Sequence, residues 1–211
     1  MKEKPRSTRG GKLNAWQQRQ QRDSYVKRAG REGYRSRASY KLLQLDGKYR
    51  LLKTGARVVD LGAAPGGWSQ VARDAVGDSG KVIAVDRLPI ASLGGVTFLE
   101  GDFTEQSTLE RVLAAVGYGA DLVLSDMAPN LSGVRVADQA RSMELAELAL
   151  DLARQVLQPG GAFVVKCFEG AGIEAFRRDC GGLFGKIASY KPDASRSASR
   201  EFYLVALAYR G

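Results

Sequence analysis

From residue 55 onwards the chain alternates short apolar segments with longer amphipathic ones, and this alternation strongly constrains its fold. Repeated strand and helix units of this kind are typical of a parallel sheet covered by helices. The sequence predicts a doubly wound α/β sandwich, with an antiparallel pair of strands at one edge of the sheet. The predicted strands lie near residues 57–61, 81–85, 96–99, 121–125, 161–168, 186–190 and 202–209, and the helices near 68–76, 107–116, 138–157 and 172–184.

Length and composition limit the classes of protein to which the chain can belong. A chain of 211 residues, 44% of them apolar, suits one globular domain with a sizeable core. Without any histidine, and with only Cys167 and Cys180 as thiols, zinc sites and histidine-based triads are excluded. No apolar run approaches the ~18 residues of a membrane span, and residues 1–16 lack a signal peptide. We therefore expect a cytoplasmic protein with no metal and no membrane partner.

Positive charge is concentrated at the N-terminal end. Residues 1–50 contain 15 basic and 4 acidic residues, whereas the remaining 161 contain 17 basic and 19 acidic ones. A concentrated basic segment attracts RNA, because it neutralises phosphates and releases counterions. We predict a disordered basic tail over residues 1–13 and a basic, partly helical RNA-binding arm over 14–50, where aromatic residues such as Trp16 are interleaved. The arm should pack on a core of residues 51–211.

A turn of small residues follows the first predicted strand. Residues 58–68 read VVDLGAAPGGW, which predicts a buried strand, a glycine-rich turn and a helix. Glycines allow a ligand to approach the backbone closely. The turn nevertheless departs from the dinucleotide-binding fingerprint, because Ala64 occupies the position of the second glycine and Pro65 follows it. The sequence therefore predicts a ligand other than a standard pyrophosphate.

Acidic residues end the next two predicted strands. Asp86 is placed to accept hydrogen bonds from ribose hydroxyls, and Asp102 from an adenine amino group. S-adenosylmethionine fits this pattern, because it carries an adenosine without phosphate and a cationic sulfur that an acidic rim favours. For each aspartate alone, capping a turn or a helix is an equally good interpretation.

Two charged residues occur where core strands are expected. Lys166 lies inside the apolar segment 161–168, and a buried unpaired ammonium costs several kcal/mol. Lys166 must therefore lie at a strand end, be paired, or be partly neutral, unless its stem extends to the surface. Asp126 follows the apolar run 122–125. Because ligands of open α/β sheets bind at the carboxyl ends of strands, we expect Asp126 and Lys166 beside the glycine-rich turn.

The motifs that contain these residues resemble one protein family. They read DLGAAPGGWSQ at 60–70, SDMAPN at 125–130 and VVK at 164–166, with SRASYKL at 36–42 and SRE at 199–201. In type and order they are similar to the FtsJ family of S-adenosylmethionine-dependent RNA ribose 2′-O-methyltransferases. The similarity extends from about residue 20 to 209. It implies a Rossmann-like methyltransferase fold with a mostly parallel seven-stranded sheet, helices on both faces and an antiparallel edge strand.

The resemblance also implies roles for individual residues. The family's catalytic tetrad falls on Lys41, Asp126, Lys166 and Glu201, with Lys166 as proton acceptor and no metal required. A lysine at its ordinary pKa of ~10.4 is protonated at neutral pH, so this role requires a lowered pKa for Lys166. Asp126 would position Lys166, while Lys41 and Glu201 would orient the ribose. The family's contacts with S-adenosylmethionine, which leaves as S-adenosylhomocysteine, fall on Gly66, Trp68, Asp86, Asp102 and Asp126.

The substrate implied by the resemblance is a uridine of 23S-type rRNA in the large (50S-type) ribosomal subunit, modified by a monomeric enzyme. Arg35, Arg37 and Lys41 would hold RNA phosphates. A tRNA or cap 2′-O-methyltransferase with the same tetrad is an alternative, as is a non-catalytic RNA-binding protein with a Rossmann-like core. A nicotinamide oxidoreductase comes third, because the second glycine of its fingerprint is missing.

Overall fold

A computed structural model describes residues 23–117, 119–130 and 132–211. The predicted tail and Trp16 lie outside the described residues. Within them, seven strands form one sheet in the order β3-β2-β1-β4-β5-β7-β6. The strands are β1 Arg57–Leu61, β2 Lys81–Asp86, β3 Val96–Glu100, β4 Ala120–Ser125, β5 Leu157–Phe168, β6 Phe184–Tyr190 and β7 Glu201–Tyr209.

Helices cover both faces of this sheet, which confirms the predicted fold class. They are α1 Ser24–Glu32, α2 Ser39–Tyr49, α3 Gly67–Val76, α4 Gln106–Val116, α5 Arg135–Val156 and α6 Ile173–Leu183. The core on one face contains residues of α4, α5 and α6, and the core on the other face contains residues of α2 and α3. Because side chains alternate along a strand, Val59 contributes to the first core and its neighbour Val58 to the second.

The predicted antiparallel pair at the sheet edge is present. Strands β1 to β5 pair in parallel, whereas β7 pairs antiparallel with both β5 and β6. The outermost strand of the pair is therefore β6, which runs in the same direction as β5. Helix α6 connects these two parallel strands, whereas no helix separates β6 from β7. The reversal of β7 brings its first residue to the edge where β5 ends.

Residues 23–50, the part of the predicted arm that the structure describes, belong to the fold rather than extending from it. Leu42 and Leu45 of α2 are fully buried in the second core. The start of α2 is bonded to the start of α3, since Ser39 Oγ donates to Gly67 O at 3.0 Å and Trp68 Nε1 donates to Ala38 O at 2.8 Å. A Cβ on Gly67 would collide with Ser36 Oγ, so a glycine is needed there. These contacts fix α2 beside the carboxyl ends of the central strands.

Candidate active site

The four residues of the predicted tetrad come from four separate elements. Lys41 lies in the first turn of α2, Asp126 directly follows β4, Lys166 lies near the end of β5, and Glu201 begins β7. The carboxyl ends of β4 and β5 meet because these strands are parallel. Glu201 reaches the same edge because β7 is antiparallel and pairs it with Phe168. The structure therefore brings all four residues together.

Their side chains form a row of alternating charges. Glu201 Oε1 lies 2.8 Å from Lys41 Nζ, which is 3.8 Å from Asp126 Oδ1. Lys166 Nζ lies 3.0 Å from the same Oδ1 and donates a second hydrogen bond to the backbone oxygen of Asp126. Lys41 and Lys166 are only 7% and 8% exposed. Two buried lysines are thus compensated by two carboxylates, which is how buried charges are normally tolerated.

These contacts keep both carboxylates ionised. Burial by itself raises the pKa of Asp126, but Lys166, Lys41 and the hydrogen bond from Tyr203 outweigh it and hold this pKa below the ordinary value. Burial also opposes ionisation of Glu201, and the contact with Lys41 again dominates, so the pKa of Glu201 is lowered. The tetrad therefore presents two negative groups in fixed positions at neutral pH.

Tyr203 is a fifth member of this cluster that the sequence reasoning missed. It is fully buried, and its hydroxyl donates to Asp126 Oδ1 at 2.5 Å. Its ring lies 5.5 Å from that of Trp68 and 5.6 Å from Lys41 Nζ. Burial, together with the charge of Asp126, raises the pKa of Tyr203 well above its ordinary value, so the phenol stays a donor. The period of two along β7, which places Tyr203 on the face of Glu201, was the signal available in the sequence.

A cleft of about 690 Å³ opens beside Asp126. It lies at the carboxyl ends of β1, β2, β3 and β4, where ligands of open α/β sheets bind. The predicted residues Asp86, Asp102 and Asp126 all line it, together with Gly62, Ala64, Phe103, Met127 and Pro129. A Cβ on Gly62 would collide with the Met127 side chain, so glycine is required where the backbone borders this cleft.

Asp86 and Asp102 also hold the turns that surround them. Asp86 accepts hydrogen bonds from the backbone N–H of Ala64 and of Leu88, both at 2.8 Å. Asp102 Oδ1 accepts from the backbone N–H and hydroxyl of Thr104. Burial raises the pKa of Asp102, but Thr104 and Arg87 outweigh it, so this pKa is lowered. The capping interpretation and the ligand interpretation are therefore compatible, since each carboxylate has further lone pairs.

Comparisons with known proteins agree with this geometry. The FtsJ-like methyltransferase family model matches residues 34–209. A relative from Chromohalobacter salexigens named ribosomal RNA large subunit methyltransferase E is 55% identical over 98% of this chain and 99% of its own length. The chain belongs to the FtsJ-like methyltransferase family. The resemblance inferred from the motifs, and the prediction of a methyltransferase enzyme, are thereby confirmed.

Two further relatives support the same assignment. A protein of the same name from Alkalilimnicola ehrlichii is 56% identical over 90% of this chain and 92% of its own length. A crystal structure from Plasmodium falciparum, described as a ribosomal RNA methyltransferase, superposes with a TM-score of 0.73 at 29% identity. It covers 84% of this chain and 100% of its own. The similarity therefore includes the arm helix α2 as well as the sheet.

Two of the family's cofactor positions lie outside the lining of the cleft. The Trp68 side chain is 3% exposed and packs in the second core against Tyr203. Gly66 begins α3 in a left-handed conformation, and a Cβ there would contact the Arg35 guanidinium. The Trp68 side chain thus packs against Tyr203, which in turn is hydrogen-bonded to Asp126 of the tetrad. A cofactor contact at Gly66 or Trp68 stays a prediction.

The two arginines predicted to hold RNA phosphates are engaged within this methyltransferase domain. Arg35 donates to the backbone oxygens of Ala91 and Ser92 at 2.6 and 2.7 Å. Arg37 donates to the backbone oxygen of Ala194 at 2.6 Å, and its Nε lies 3.0 Å from Asp23 Oδ2. Instead of projecting freely towards a phosphate, both guanidinium groups attach the arm to loops that border the site. Sequence spacing could not reveal these partners, because they are separated from the arginines by many residues.

Other reactive groups of the described residues lie away from this site. Cys167 and Cys180 are buried, and burial raises the pKa of each thiol to about 12, so both stay protonated. Within the same residues, acidic and thiol side chains form no cluster suited to a metal ion. No helix in the described ranges is long and apolar enough to cross a membrane.

Proposed function

We propose that this enzyme transfers a methyl group from S-adenosylmethionine to a ribose 2′-hydroxyl of large-subunit ribosomal RNA, at a uridine of the 23S-type molecule. The observation that carries the proposal is the row of two lysines and two carboxylates beside a cleft lined by strand-end aspartates. The names of the relatives favour ribosomal RNA of the large subunit as the substrate. By the same family resemblance the enzyme acts in the cytoplasm as a monomer.

The cleft fits S-adenosylmethionine in size and in chemistry. Asp86 would hold the ribose hydroxyls, Asp102 the adenine amino group, and Asp126 would lie nearest the reacting end. The strand-end carboxylates complement the positive sulfur of this ligand, and Glu144, Arg87 and Arg141 complete the charged part of the lining. When bound, S-adenosylmethionine supplies a methyl group already activated by its positive sulfur. The protein then needs to orient the acceptor oxygen and take up one proton.

We assign to Lys166 the role of acting on the proton of the ribose 2′-hydroxyl. Two of the three positions on its amino group are hydrogen-bonded to Asp126, through a side-chain and a backbone oxygen, so the group has little freedom. The remaining position is left for the substrate hydroxyl, which Lys166 deprotonates or steers electrostatically. Lys41 and Glu201 form the neighbouring ion pair and would orient the ribose. Asp126 connects both lysines and fixes the distance between proton acceptor and ribose site.

The arm would bring RNA to this site. Lys27 and Arg31 are exposed on α1, whereas Arg35 and Arg37 are engaged in internal contacts. We therefore assign phosphate contacts to exposed basic residues of the arm, with Lys41 at the reacting ribose. Arg35 and Arg37 act indirectly, because they hold the arm against the loops on either side of the site.

The decisive experiment measures transfer of labelled methyl groups to purified large ribosomal subunits that lack the modification, to small subunits, to naked ribosomal RNA and to bulk tRNA. Label recovered on the 2′-oxygen of one uridine in large subunits is the expected result. Label on tRNA would move the substrate to another RNA, and label on a base nitrogen or carbon would contradict ribose methylation. Lys166→Ala serves as the inactive control, with cofactor binding verified separately.

A further inference from the structure

A second cavity, of about 220 Å³, lies on the α5 side of the tetrad. Pro129 lines both this cavity and the larger cleft, so the two are adjacent. Phe168, two residues after Lys166, and Arg200, directly before Glu201, also line it. Asp126 thus lines the proposed cofactor cleft, and residues close in sequence to Lys166 and Glu201 line the smaller cavity beside it.

Two polar side chains from a largely buried part of α5 line the smaller cavity. Gln139 is 8% exposed and Ser142 5% exposed, and both belong to α5. Gln139 Nε2 donates to the backbone oxygens of Phe168 and Ala171 at 3.2 and 3.1 Å, which fixes the amide and leaves Oε1 as an acceptor. Neither Gln139 Oε1 nor Ser142 Oγ has a hydrogen-bond partner among the described residues. Because both atoms remain accessible in a lining of largely buried residues, they are free to bond with a ligand that enters the cavity.

Positive charge surrounds the mouth of the same cavity. Arg135 and Arg200 are exposed and line it, and neither forms an ion pair with another described residue. The single carboxylate of the lining, Asp138, is already occupied, because it accepts hydrogen bonds from Ser132 and Gly133. Guanidinium groups without a carboxylate partner are suited to a phosphate. The cavity thus offers an acceptor, a hydroxyl, an aromatic ring and a cationic mouth.

We propose that this cavity holds the base of the nucleotide to be methylated and that it selects uracil over cytosine, whose N3 carries no hydrogen. This inference rests on the proposed function. A base is attached to the ribose carbon next to the one that carries the reacting hydroxyl, so its site must adjoin the tetrad. Gln139 Oε1 accepts the N3–H of uracil, and Ser142 Oγ donates to a neighbouring carbonyl. Phe168 contacts the base, while Arg200 holds the adjacent phosphate.

The test compares Ser142→Leu, which fills the cavity, with Ser142→Ala, which removes only the hydroxyl. Ser107→Leu, on the exposed surface of α4, is the matched control. We expect Ser142→Leu to lower kcat/KM for large subunits by more than about 100-fold and Ser142→Ala by about tenfold. The cofactor dissociation constant should change by less than about twofold, and Ser107→Leu should behave as wild type.

Each outcome decides between the base site and the proposed function. Loss of kcat/KM in both Ser142 variants, with unchanged cofactor binding and thermal midpoint in Ser142→Ala, supports the base site. Methylation by Ser142→Leu at the wild-type rate overturns the base site and leaves the proposed function standing. A wild-type enzyme that binds cofactor but methylates no RNA overturns the proposed function, and the base site with it.

Discussion

The tetrad and the turn region of residues 60–69 both bury aspartates, but they give them different partners. In the tetrad, Asp126 is surrounded by Lys166, Lys41 and Tyr203, and its pKa is lowered. In the turn region, Asp60 is 1% exposed and is bonded by Ser69 alone, through its hydroxyl at 2.6 Å and its backbone N–H. Burial therefore raises the pKa of Asp60 to about 7.

The difference shows how neighbours set the charge of a buried carboxyl group. Cations from distant parts of the chain keep Asp126 negative, so it can hold a lysine in place. Asp60, which has no cation beside it and is also repelled by Asp126 and Asp86, favours its neutral form. Asp126 therefore serves as a charged group in the active site. Asp60 instead links β1 to α3 through Ser69, below the cleft. This contrast leads to four predictions.

The largest expected effect is the loss of catalysis in Lys166→Ala. Removing the proton acceptor should lower the methyl-transfer rate by about 10²–10⁴-fold, because general-base catalysis contributes an effect of that size. The cofactor dissociation constant should stay within about twofold of wild type. Single-turnover transfer to large subunits measures the rate, and calorimetry measures binding. Lys186→Ala, at an exposed lysine of β6, is the matched control. Equal losses in rate and in cofactor affinity would show that Lys166 has a structural role only.

The next effect concerns the pH dependence of stability. Because the pKa of Asp60 is about 7 in the folded chain, above its ordinary value near ~3.9, the folded state binds this proton more tightly. The contribution to stability is full below about pH 4 and is lost as pH rises through about 7. Between pH 5 and pH 8 the free energy of unfolding should fall by about 3 kcal/mol through this group alone.

Asp60→Asn removes the titration while keeping a side chain of similar shape. We expect its free energy of unfolding to depend less on pH over this interval than that of the wild type, as measured by urea unfolding at both pH values. Ser69→Ala should increase the penalty at pH 8, because the ionised carboxylate would lose the hydroxyl donor and keep only the backbone N–H of residue 69. Identical pH dependence in wild type and Asp60→Asn would place the titration elsewhere.

A smaller effect is expected at Asp86, which lies in the cleft. Asp86→Ala removes the acceptor of two backbone N–H groups and the proposed acceptor of the ribose hydroxyls. The cofactor dissociation constant should rise by roughly 10- to 100-fold, while kcat at saturating cofactor changes by less than about threefold. Calorimetry and saturation kinetics measure the two quantities. Asp74→Ala, at an exposed position of α3, is the control. A fall in kcat without a change in binding would assign Asp86 to the catalytic step instead.

The smallest effect distinguishes the exposed basic residues of the arm from those whose side chains are bonded within the protein. Replacing exposed Lys27 and Arg31 together by alanine should reduce the salt dependence of RNA binding by roughly 1.4 to 1.8 logarithmic units per decade of salt. Arg35→Ala should leave this slope unchanged and weaken cofactor binding, because Arg35 holds the loop at Ala91 and Ser92. Filter binding over a salt series measures the slope. A reduced salt slope in Arg35→Ala, with an unchanged slope in the double variant, would mean that Arg35 leaves its internal partners to bind RNA.

Much of the fold could be predicted because its signals are local. Apolar runs and glycine-rich breaks located the strands and helices to within a few residues. The main difference is at the start of β5, which begins at Leu157, whereas the sequence predicts a strand from residue 161. Pairing of Leu157 with Ala120, followed by a shift of register, extends the strand through Pro159 and Gly160. Strand pairing thus prevailed over local propensity.

The active site could be predicted only in part, because only some of its residues have a local signal in the sequence. Asp126 and Lys166 could be recognised as charges at strand ends, which is a local signal. Lys41 and Glu201 entered through resemblance alone, since nothing around them in the sequence distinguishes them from surface residues. Tyr203 and the internal partners of Arg35 and Arg37 were not predicted at all.

The sequence by itself determined the order of elements, the glycine-rich turn, the strand-end aspartates and the family, because each depends on neighbouring residues or on motifs. Only the tertiary structure decided which charges meet. Lys41, Asp126, Lys166 and Glu201 are distant in sequence and are joined by the antiparallel insertion of β7 and by the docking of α2. Their charge states follow from that assembly, since the pKa of a buried group depends on which cations surround it.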